Sequence, residues 1–438
     1  MRCEYLLREP DVSPATLEMF AESAYPVLHA AAVPLYFDFL EYKTHFGSQE
    51  EKVLYADMTV TELVDRLLKK RAATFSGPSD YFLLVDGRQG RGGWDDIGKT
   101  NSRSSLRLID CLSYDELKLS ALLSVSSYSY FINNGNRNNN GVPDRNMQGL
   151  HRAGVVIGLT GTRFERPNKM DWEEIIITKE QNVLNKGYGS PRAVNTSEYY
   201  WRQLWCQFYG LGRYLPTYRE TETIFNSRST NHYLKLSNID GYFHNIAFSR
   251  RLAVSFETLL MEAQHRAYIA GRFAYIHVVG IGLGVWKISD HQETVFLNSF
   301  ANCITRLIPI LNNVSDINFS WFRENTCGGV PNGGNFRSRD HPRGGIQIFF
   351  SKRNPHDRIL DPHQNKLLVV SYAWNSNALP GNSFWKGALS GSADPAQACS
   401  SQITELHNPH INDLQVCGDN LHIATSRGVV HVSQLMAQ

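Results

Sequence analysis

The stretch from Ala274 to Ser289 constrains the fold more than any other part of the chain. Residues 274–279 form a short, apolar, β-branched run, which is typical of a strand buried on both faces of a sheet. Three glycines follow at alternate positions, 280, 282 and 284, and a helix-like segment begins at about residue 290. A strand, a glycine turn and a helix start bring backbone N–H groups and a positive helix dipole together, which suits a phosphate. Strand-to-helix turns without ligands also use glycine, so both interpretations stand at this point.

This turn does not match either of the two commonest phosphate-binding loops. The dinucleotide fingerprint requires glycine at the first, third and sixth positions, and the sixth position counted from Gly280 is Val285. A P-loop ends in Gly-Lys-Ser or Gly-Lys-Thr, and neither triplet follows this strand. If the turn binds phosphate, it does so as a less common kind of loop.

Size and composition describe a folded protein without a bias toward one class of partner. The 438 residues suffice for one large α/β domain with a subdomain, or for two to three ordinary domains. A formal net charge of +2 predicts neither a nucleic-acid-binding face nor an acidic tail. The seven cysteines contain no CxxC pair and the histidines no HExxH pattern, so we expect no metal, no cofactor and no disulfide framework.

The sequence contains no recognisable targeting or membrane segment. The first ten residues lack the apolar core of a signal peptide. No run of about 18 apolar residues is present to cross a bilayer. We therefore expect a cytoplasmic monomer with no membrane or nucleic-acid partner.

Helix-like and strand-like segments alternate along the chain, which predicts an α/β layered fold. The first 78 residues predict a helical region, and residues 180–250 an aromatic, polar helical insertion. The predicted strands are 80–86, 154–161, 172–178, 274–279, 316–322, 346–351 and 367–373. The principal predicted helices are 14–25, 59–70, 115–126, 248–272 and 294–311.

Two polar loops accompany these elements. Residues 131–141, rich in Asn and Gly, predict a surface loop, with a ligand-covering lid as the less favoured alternative. Residues 374–385 follow a predicted strand and combine Asn, Pro and Gly. Asn side chains both donate and accept hydrogen bonds, as recognition of a ribose requires, although a lone Asn-rich turn is usually only a turn. Two such loops at the strand ends of one sheet indicate a ligand crevice.

Four segments resemble the MavL-type macrodomain family: GTRFERP at 161–167, HVVGIGLGVW at 277–286, DINFSWF at 316–322 and YAWNSNALPGNSFW at 372–385. The resemblance spans roughly residues 80–425. It implies an α/β fold, a macrodomain-like three-layer α/β/α sandwich with a mixed central sheet, formed by residues 79–438 behind an N-terminal helical extension. Members of this family, Legionella effectors and eukaryotic relatives, hydrolyse ADP-ribose from arginine side chains of ubiquitin.

The resemblance also implies a ligand, ADP-ribose, and a second partner, an ADP-ribosylated protein with ubiquitin as one candidate. The glycine loop would hold the diphosphate and the loop at 375–385 the distal ribose. The implied ligand contacts are Gly280, Gly282, Leu283, Gly284, Val285, Trp286, Asn377, Pro380, Gly381, Asn382, Phe384, Trp385 and Arg163. Backbone N–H groups offer donors without a cation, and glycine permits close approach.

The sequence departs from this family where catalysis is expected. Cleaving an N-glycosidic bond builds positive charge on the ribose, so a carboxylate must stabilise that charge or activate water. The resemblance implies acids at the positions of Asn375 and Ser383, and neither side chain can act as a base. Besides these two positions, the candidate catalytic residues are Asp394 and Asp316, with Glu324 and Asp340 as further acids.

Three hypotheses follow. The first is a hydrolase, the second a non-catalytic ADP-ribose reader, and the third an unrelated nucleotide-sugar enzyme on a similar scaffold. His277, within a buried strand, is expected to be a core histidine with satisfied hydrogen bonds.

Overall fold

A ten-stranded mixed sheet forms the centre of the computed structural model. The structure describes residues 2–99, 105–139, 141–145, 147–190, 196–228, 230–381, 384 and 393–436, with the backbone alone at 2–3, 393–396 and 436. The strands of the central sheet are β1 Tyr25–His29, β2 Leu123–Tyr130, β3 Ala153–Leu159, β4 Ala274–Val278, β5 Val314–Ser320, β6 Asn335–Arg337, β7 Gly345–Ser351, β8 Leu367–Ala373, β9 His422–Thr425 and β10 Gly428–His431. Their order across the sheet is β6-β7-β5-β4-β8-β3-β2-β1-β9-β10.

Five neighbouring strands, β7, β5, β4, β8 and β3, run parallel to one another. Their carboxyl ends therefore meet at one edge of the sheet, where ligands bind in open α/β folds. The strands β2, β6 and β10 are antiparallel to their neighbours, which makes the sheet mixed, as predicted.

Helices cover both faces of the sheet. They are α1 Arg2–Leu6, α2 Pro14–Glu22, α3 Ala32–Phe46, α4 Gln49–Tyr55, α5 Val60–Lys69, α6 Tyr114–Ser120, α7 Trp172–Ile175, α8 Ser197–Phe208, α9 Tyr218–Ser227, α10 Asn245–Ile269, α11 Gln292–Leu307, α12 Ala393–Ser400, α13 Ile403–Leu406 and α14 Val432–Met436. One apolar core packs α3, α5, α6 and α8 against one face, and a second packs α10 and α11 against the other. Burial of both faces explains why β3, β4 and β8 are largely apolar.

Small sheets decorate these layers. One contains Thr74–Ser76, Tyr81–Leu83 and Gln89–Arg91, another contains Ile176–Thr178, Tyr233–Lys235 and Gly241–His244, and Thr326–Cys327 pairs with Val330–Pro331. The predicted strand at 80–86 thus lies outside the central sheet. The predicted strand at 172–178 begins as the short helix α7 and becomes extended only at Ile176.

The structure confirms the alternation of helices and strands and corrects two of its details. The helix predicted at 115–126 ends at Ser120, and β2 starts at Leu123, where serine and larger side chains begin to alternate with the period of a strand. The N-terminal region contains the predicted α2 and α5, but it also supplies β1 to the central sheet. A run of only five residues is too short for periodicity to separate a strand from a helix. The division into domains at residue 78 stays a prediction.

Candidate functional site

A cavity of about 730 Å³ lies at the carboxyl ends of the parallel strands. Its floor includes His277 of β4, Ser320 of β5 and Tyr372 of β8, and the loops that follow β4, β5 and β7 form its walls. Small-molecule sites typically enclose about 300–1,000 Å³. The cavity therefore has the size and the position expected of a ligand site in a sheet of this topology.

The loop after β4 forms one wall of the cavity. Gly280, Leu283 and Gly284 line it, as predicted from the sequence, whereas Val285 is 79% exposed to solvent and does not. In the described part of the chain, the backbone N–H groups of Gly284, Val285 and Trp286 have no hydrogen-bond acceptor. Consecutive unpaired N–H groups form a concave site for an anion.

Gly282 has a packing role rather than a place in the cavity wall. Its φ of +74° lies in the left-handed region, and a Cβ there would come 3.0 Å from the backbone nitrogen of Thr162. A Cβ on Gly161 would lie 2.3 Å from the Gly282 nitrogen. Glycine is needed at both positions because the loops after β3 and β4 touch backbone to backbone. The side chain of Trp286 is buried and likewise does not line the cavity.

Trp321 forms an aromatic face on the cavity in the loop after β5. Its φ is +65°, a conformation that is uncommon for a residue other than glycine, and the side chain is 61% exposed. Its backbone N–H donates to the carbonyl of Ser351 at 2.9 Å, which fixes the turn against the end of β7. The structure thus holds a large apolar ring in solvent beside the cavity, where a planar ligand group can stack on it.

The Asn-rich loop forms the opposite wall of the cavity, and its role as a ligand-covering lid stays a prediction. Asn133, Asn134 and Asn136 each accept a hydrogen bond, at 2.9 to 3.0 Å, from the backbone N–H two residues ahead. The carbonyl of Asn134 also accepts from the His356 N–H at 3.0 Å, which attaches the loop to the segment after β7. Residues 135–138 line the cavity. The spacing of the Asn residues was the only sign of this order in the sequence.

The charged lining is mainly basic. Arg137, Lys287 and Arg323 line the cavity, and Glu293 is the acid among its described residues. One carboxylate oxygen of Glu293 accepts from the backbone N–H groups of Arg323, at 2.6 Å, and Glu324, at 2.9 Å. This lining favours an anionic ligand while leaving one buried carboxylate within the site. Glu293 was not predicted as a site residue, because nothing in its helical context distinguishes it from a surface acid.

His277 is not the satisfied core histidine that the sequence predicted. It is only 1% exposed, yet it lines the cavity, and the guanidinium of Arg353 lies 3.2 Å from its Nδ1. Burial, and after it the positive charge of Arg353, hold the pKa of His277 well below its usual value, so the ring is neutral.

Arg163, a predicted ligand contact, lies outside the lining of the cavity. It is fully buried, its Nε pairs with the carboxylate of Asp171 at 3.1 Å, and Nη1 donates to the carbonyl of Leu117 at 2.8 Å and to Oδ1 of Asn377 at 2.7 Å. Burial acts to raise the pKa of Asp171, but the charges of Arg251 and Arg163 lower it overall. Through these contacts, Arg163 links α6, the start of α7 and the loop after β8.

The described part of the loop after β8 is likewise held by protein contacts. Asn377 is fully buried against Arg163. Asn375 donates from Nδ2 to the carbonyl of Phe75 at 3.0 Å and accepts at Oδ1 from the Asn377 N–H at 3.2 Å. Pro380 and Gly381 are buried, Phe384 packs on the first core, and none of them lines the cavity.

The remaining positions predicted for this loop fall outside the described residues. Asn382, Ser383 and Trp385 do so entirely. Asp394 lies in α12, but its side chain is outside the described part of the structure. Their roles in binding and catalysis stay predictions.

The structure does not bring the other candidate acids to the cavity. Asp316 lies near the start of β5, roughly 13 Å along the strand from Ser320, where it forms an ion pair with Lys366 and contacts Nδ1 of His363 at 3.2 Å. Glu324 accepts a hydrogen bond from Thr294, and Asp340 is exposed. Strand assignment alone did not show that Asp316 lies at the end of β5 remote from the site.

Among the described residues, no three His, Cys, Asp or Glu side chains are grouped so that they could hold a metal ion. No helix in the same part of the chain combines the length and the apolar character needed to cross a membrane.

Comparison with known proteins agrees with the resemblance seen in the sequence. The family model described as "ADP-ribosylhydrolase MavL-like" matches residues 2–438, and so includes the N-terminal region that the sequence resemblance left out. The Drosophila melanogaster protein named ADP-ribosylarginine hydrolase CG3568 is 44% identical over 439 residues, which cover 98% of this chain and 84% of that protein. ADP-ribosylarginine hydrolase CG2909 from the same organism is 42% identical over 431 residues, covering 96% of this chain and 84% of that protein. The chain belongs to the MavL-like family of ADP-ribosylhydrolases.

Proposed function

We propose that this protein binds ADP-ribose in the cavity and hydrolyses its bond to arginine side chains of modified proteins. One observation supports this most directly: the N–H groups of Gly284 to Trp286 are unpaired, and Gly284 lines a cavity whose lining is mainly basic and includes an exposed tryptophan. ADP-ribose has a matching combination of a dianionic diphosphate and a flat base. We further propose that the α/β/α layers form a macrodomain-like sandwich.

The parts of the ligand can be assigned to parts of the cavity. The glycine loop binds the diphosphate through backbone N–H groups, with Lys287 adding positive charge. The adenine stacks on Trp321, since stacking needs only an accessible aromatic face. The distal ribose then points toward β8 and α12, where Tyr372 and Gln397 line the cavity.

Two carboxylates are candidates for the chemistry: Asp394 with the distal ribose toward α12, and Glu293, beside the loop of Trp321, with the ligand in the reverse orientation. In the described part of the chain the second oxygen of Glu293 has no hydrogen-bond partner, so it remains able to stabilise positive charge. Asp394 stands on α12 three residues before Gln397, which lines the cavity. Either group can assist departure of the guanidine or activate water, as carboxylates do in glycoside hydrolysis.

One observation favours a second function, that of an ADP-ribose reader without turnover. Asn375 stands where the family resemblance implies an acid, and both ends of its amide are engaged by backbone groups of the protein. A reader would keep the binding surfaces and release no product.

The test is calorimetric titration of the full chain with ADP-ribose, followed by incubation with an arginine-ADP-ribosylated peptide and with arginine-ADP-ribosylated ubiquitin. We expect micromolar binding and release of free ADP-ribose. Glu293→Gln and Asp394→Asn should bind with unchanged affinity, and whichever is catalytic should slow release by at least about 100-fold, the scale of acid–base assistance. Binding without release from either substrate would establish the reader. Absence of binding would refute both functions.

A further inference from the structure

His277 presents a buried polar group to the cavity that no protein group satisfies. It is the penultimate residue of β4, the strand that leads directly into the glycine loop. Its Nδ1 contacts Arg353, whereas its Nε2 has no hydrogen-bond partner in the described part of the chain. A ring nitrogen without a protein partner, on a residue that lines a cavity, is available to hydrogen-bond a ligand atom there.

The contact with Arg353 determines which nitrogen of the ring carries the proton. A guanidinium can only donate, so Nδ1 must accept the hydrogen bond from Arg353. The neutral ring therefore carries its proton on Nε2, which makes Nε2–H an unpaired donor on a residue that lines the cavity. Arg353 is itself fixed, because its guanidinium also donates to the backbone carbonyls of Pro355, at 3.1 Å, and Asp357.

The cation behind the ring strengthens the donor in front of it. Donation from a guanidinium into Nδ1 polarises the imidazole and makes Nε2–H a better hydrogen-bond donor. The complementary ligand group is an oxygen that accepts only, and phosphate oxygens meet this requirement whereas ribose hydroxyls also donate.

We propose that His277 binds the ligand through Nε2–H donated to a diphosphate oxygen, and that Arg353 is a positioning residue that fixes the required tautomer. This assignment rests on the proposed function, since ADP-ribose supplies the diphosphate. The neutral histidine then contacts the diphosphate from the end of β4, whereas the backbone N–H groups of the glycine loop contact it from residues 284–286.

The first test compares His277→Phe, which keeps a planar ring without a donor, with His277→Gln, which keeps an N–H donor. Titration with ADP-ribose should show affinity about 10- to 100-fold weaker for the phenylalanine variant, as for loss of a hydrogen bond to a charged group, and within a few-fold of wild type for glutamine. Thermal unfolding should show both variants folded. With adenosine, which has no phosphate, the two variants should bind like wild type. Unchanged ADP-ribose binding by the phenylalanine variant, or an equal loss for adenosine, would overturn the assignment.

The second test reads the tautomer without any ligand. In nitrogen-15 NMR of histidine-labelled protein at pH 7, the signal of His277 is identified by its absence from His277→Phe. This signal should be that of a neutral, Nε2-protonated ring, and it should shift when ADP-ribose is added. If the signal assigned to His277 came from the Nδ1-protonated tautomer or from an imidazolium, the role of Arg353 would be refuted. If wild type binds no ADP-ribose, the proposed function fails, and inorganic pyrophosphate replaces it as the probe: pyrophosphate that leaves the Nε2 signal unmoved then refutes the histidine contact as well.

Discussion

Trp321 marks the site because its conformation and its exposure both have an unfavourable free energy. A left-handed backbone conformation and an exposed indole are both unfavourable for the isolated protein, and the neighbouring strand β7 enforces them. The sequence placed this residue at the end of a strand, but backbone conformation and exposure depend on neighbours distant in the chain. The same limit applies to His277 and Glu293, whose relation to the cavity depends on loops far from them in sequence.

We expect Trp321→Ala to weaken ADP-ribose binding about 5- to 100-fold, because stacking of a base on an aromatic ring contributes about 1–3 kcal/mol. Trp321→Tyr should keep most of the affinity. The measurement is calorimetric titration, with Phe37→Ala, another exposed aromatic, as the control. Equal affinities for Trp321→Ala and wild type would show that adenine binds elsewhere.

Asn375 makes a second prediction at this scale. Asn375→Asp should destabilise the protein by about 1–3 kcal/mol, since a carboxylate oxygen would replace the amide N–H group that donates to the Phe75 carbonyl. Chemical denaturation measures the change, and Asn375→Ser, which removes the amide without adding charge, is the matched control. If the aspartate variant were as stable as wild type and released ADP-ribose faster, the side chain would have to face the ligand instead.

At the scale of elements, the position of a loop could be predicted where a strand leads directly into it, but not where contacts with a distant segment of the chain fold the loop. The glycine loop follows β4 directly, so its position at the sheet edge could be predicted. Residues 133–139 take their place from His356, more than two hundred residues away. The close backbone contact between Gly161 and Gly282 could not be predicted from the sequence for the same reason.

A buried charge cluster joins three helices and gives a pH prediction. Lys118 of α6 contacts Glu173 and Glu174 of α7, each at 2.7 Å, and Arg202 of α8 contacts Glu173 at 2.7 Å. Burial acts to raise the pKa of Glu173, but Arg202 and Lys118 lower it to about 2. Burial, and the charge of Glu173, raise the pKa of Glu174 to about 7 against the opposing effect of Lys118.

The folded protein therefore retains a proton on Glu174 that the unfolded chain releases above its ordinary pKa of 4.5. Stability from this group is present below pH 4.5 and is lost as the pH rises to about 7, by about 3 kcal/mol. Glu174→Gln should match wild type at pH 4.5 and become the more stable protein by pH 7.5. Denaturation at a series of pH values measures the difference, and Asp240→Asn, in an exposed ion pair, is the control. A difference that does not change with pH would contradict the raised pKa.

For the whole molecule, the family resemblance implied the mixed sheet. The sequence pattern itself predicted the α/β class, because alternating periodicities reflect burial that is local to each element. It did not predict strand order, which depends on pairing between distant segments. The N-terminal region illustrates the difference: its helices were recognisable from their apolar spacing, but the membership of β1 in the central sheet depends on β2 and β9. Removing residues 2–78 would therefore take a strand out of the middle of the sheet.

The strand β1 is synthesised long before β9, its parallel partner in the sheet. Val27 lies opposite His422, so β1 leaves the ribosome roughly 400 residues before its partner. At about 5–20 residues per second, one edge of the growing sheet stays open for roughly 20 to 80 seconds. An open strand edge is a template for pairing with another chain. Until β9 and β10 have been synthesised, we therefore expect the nascent chain to need a bound chaperone, or a low local concentration of other nascent chains, to prevent pairing at this edge.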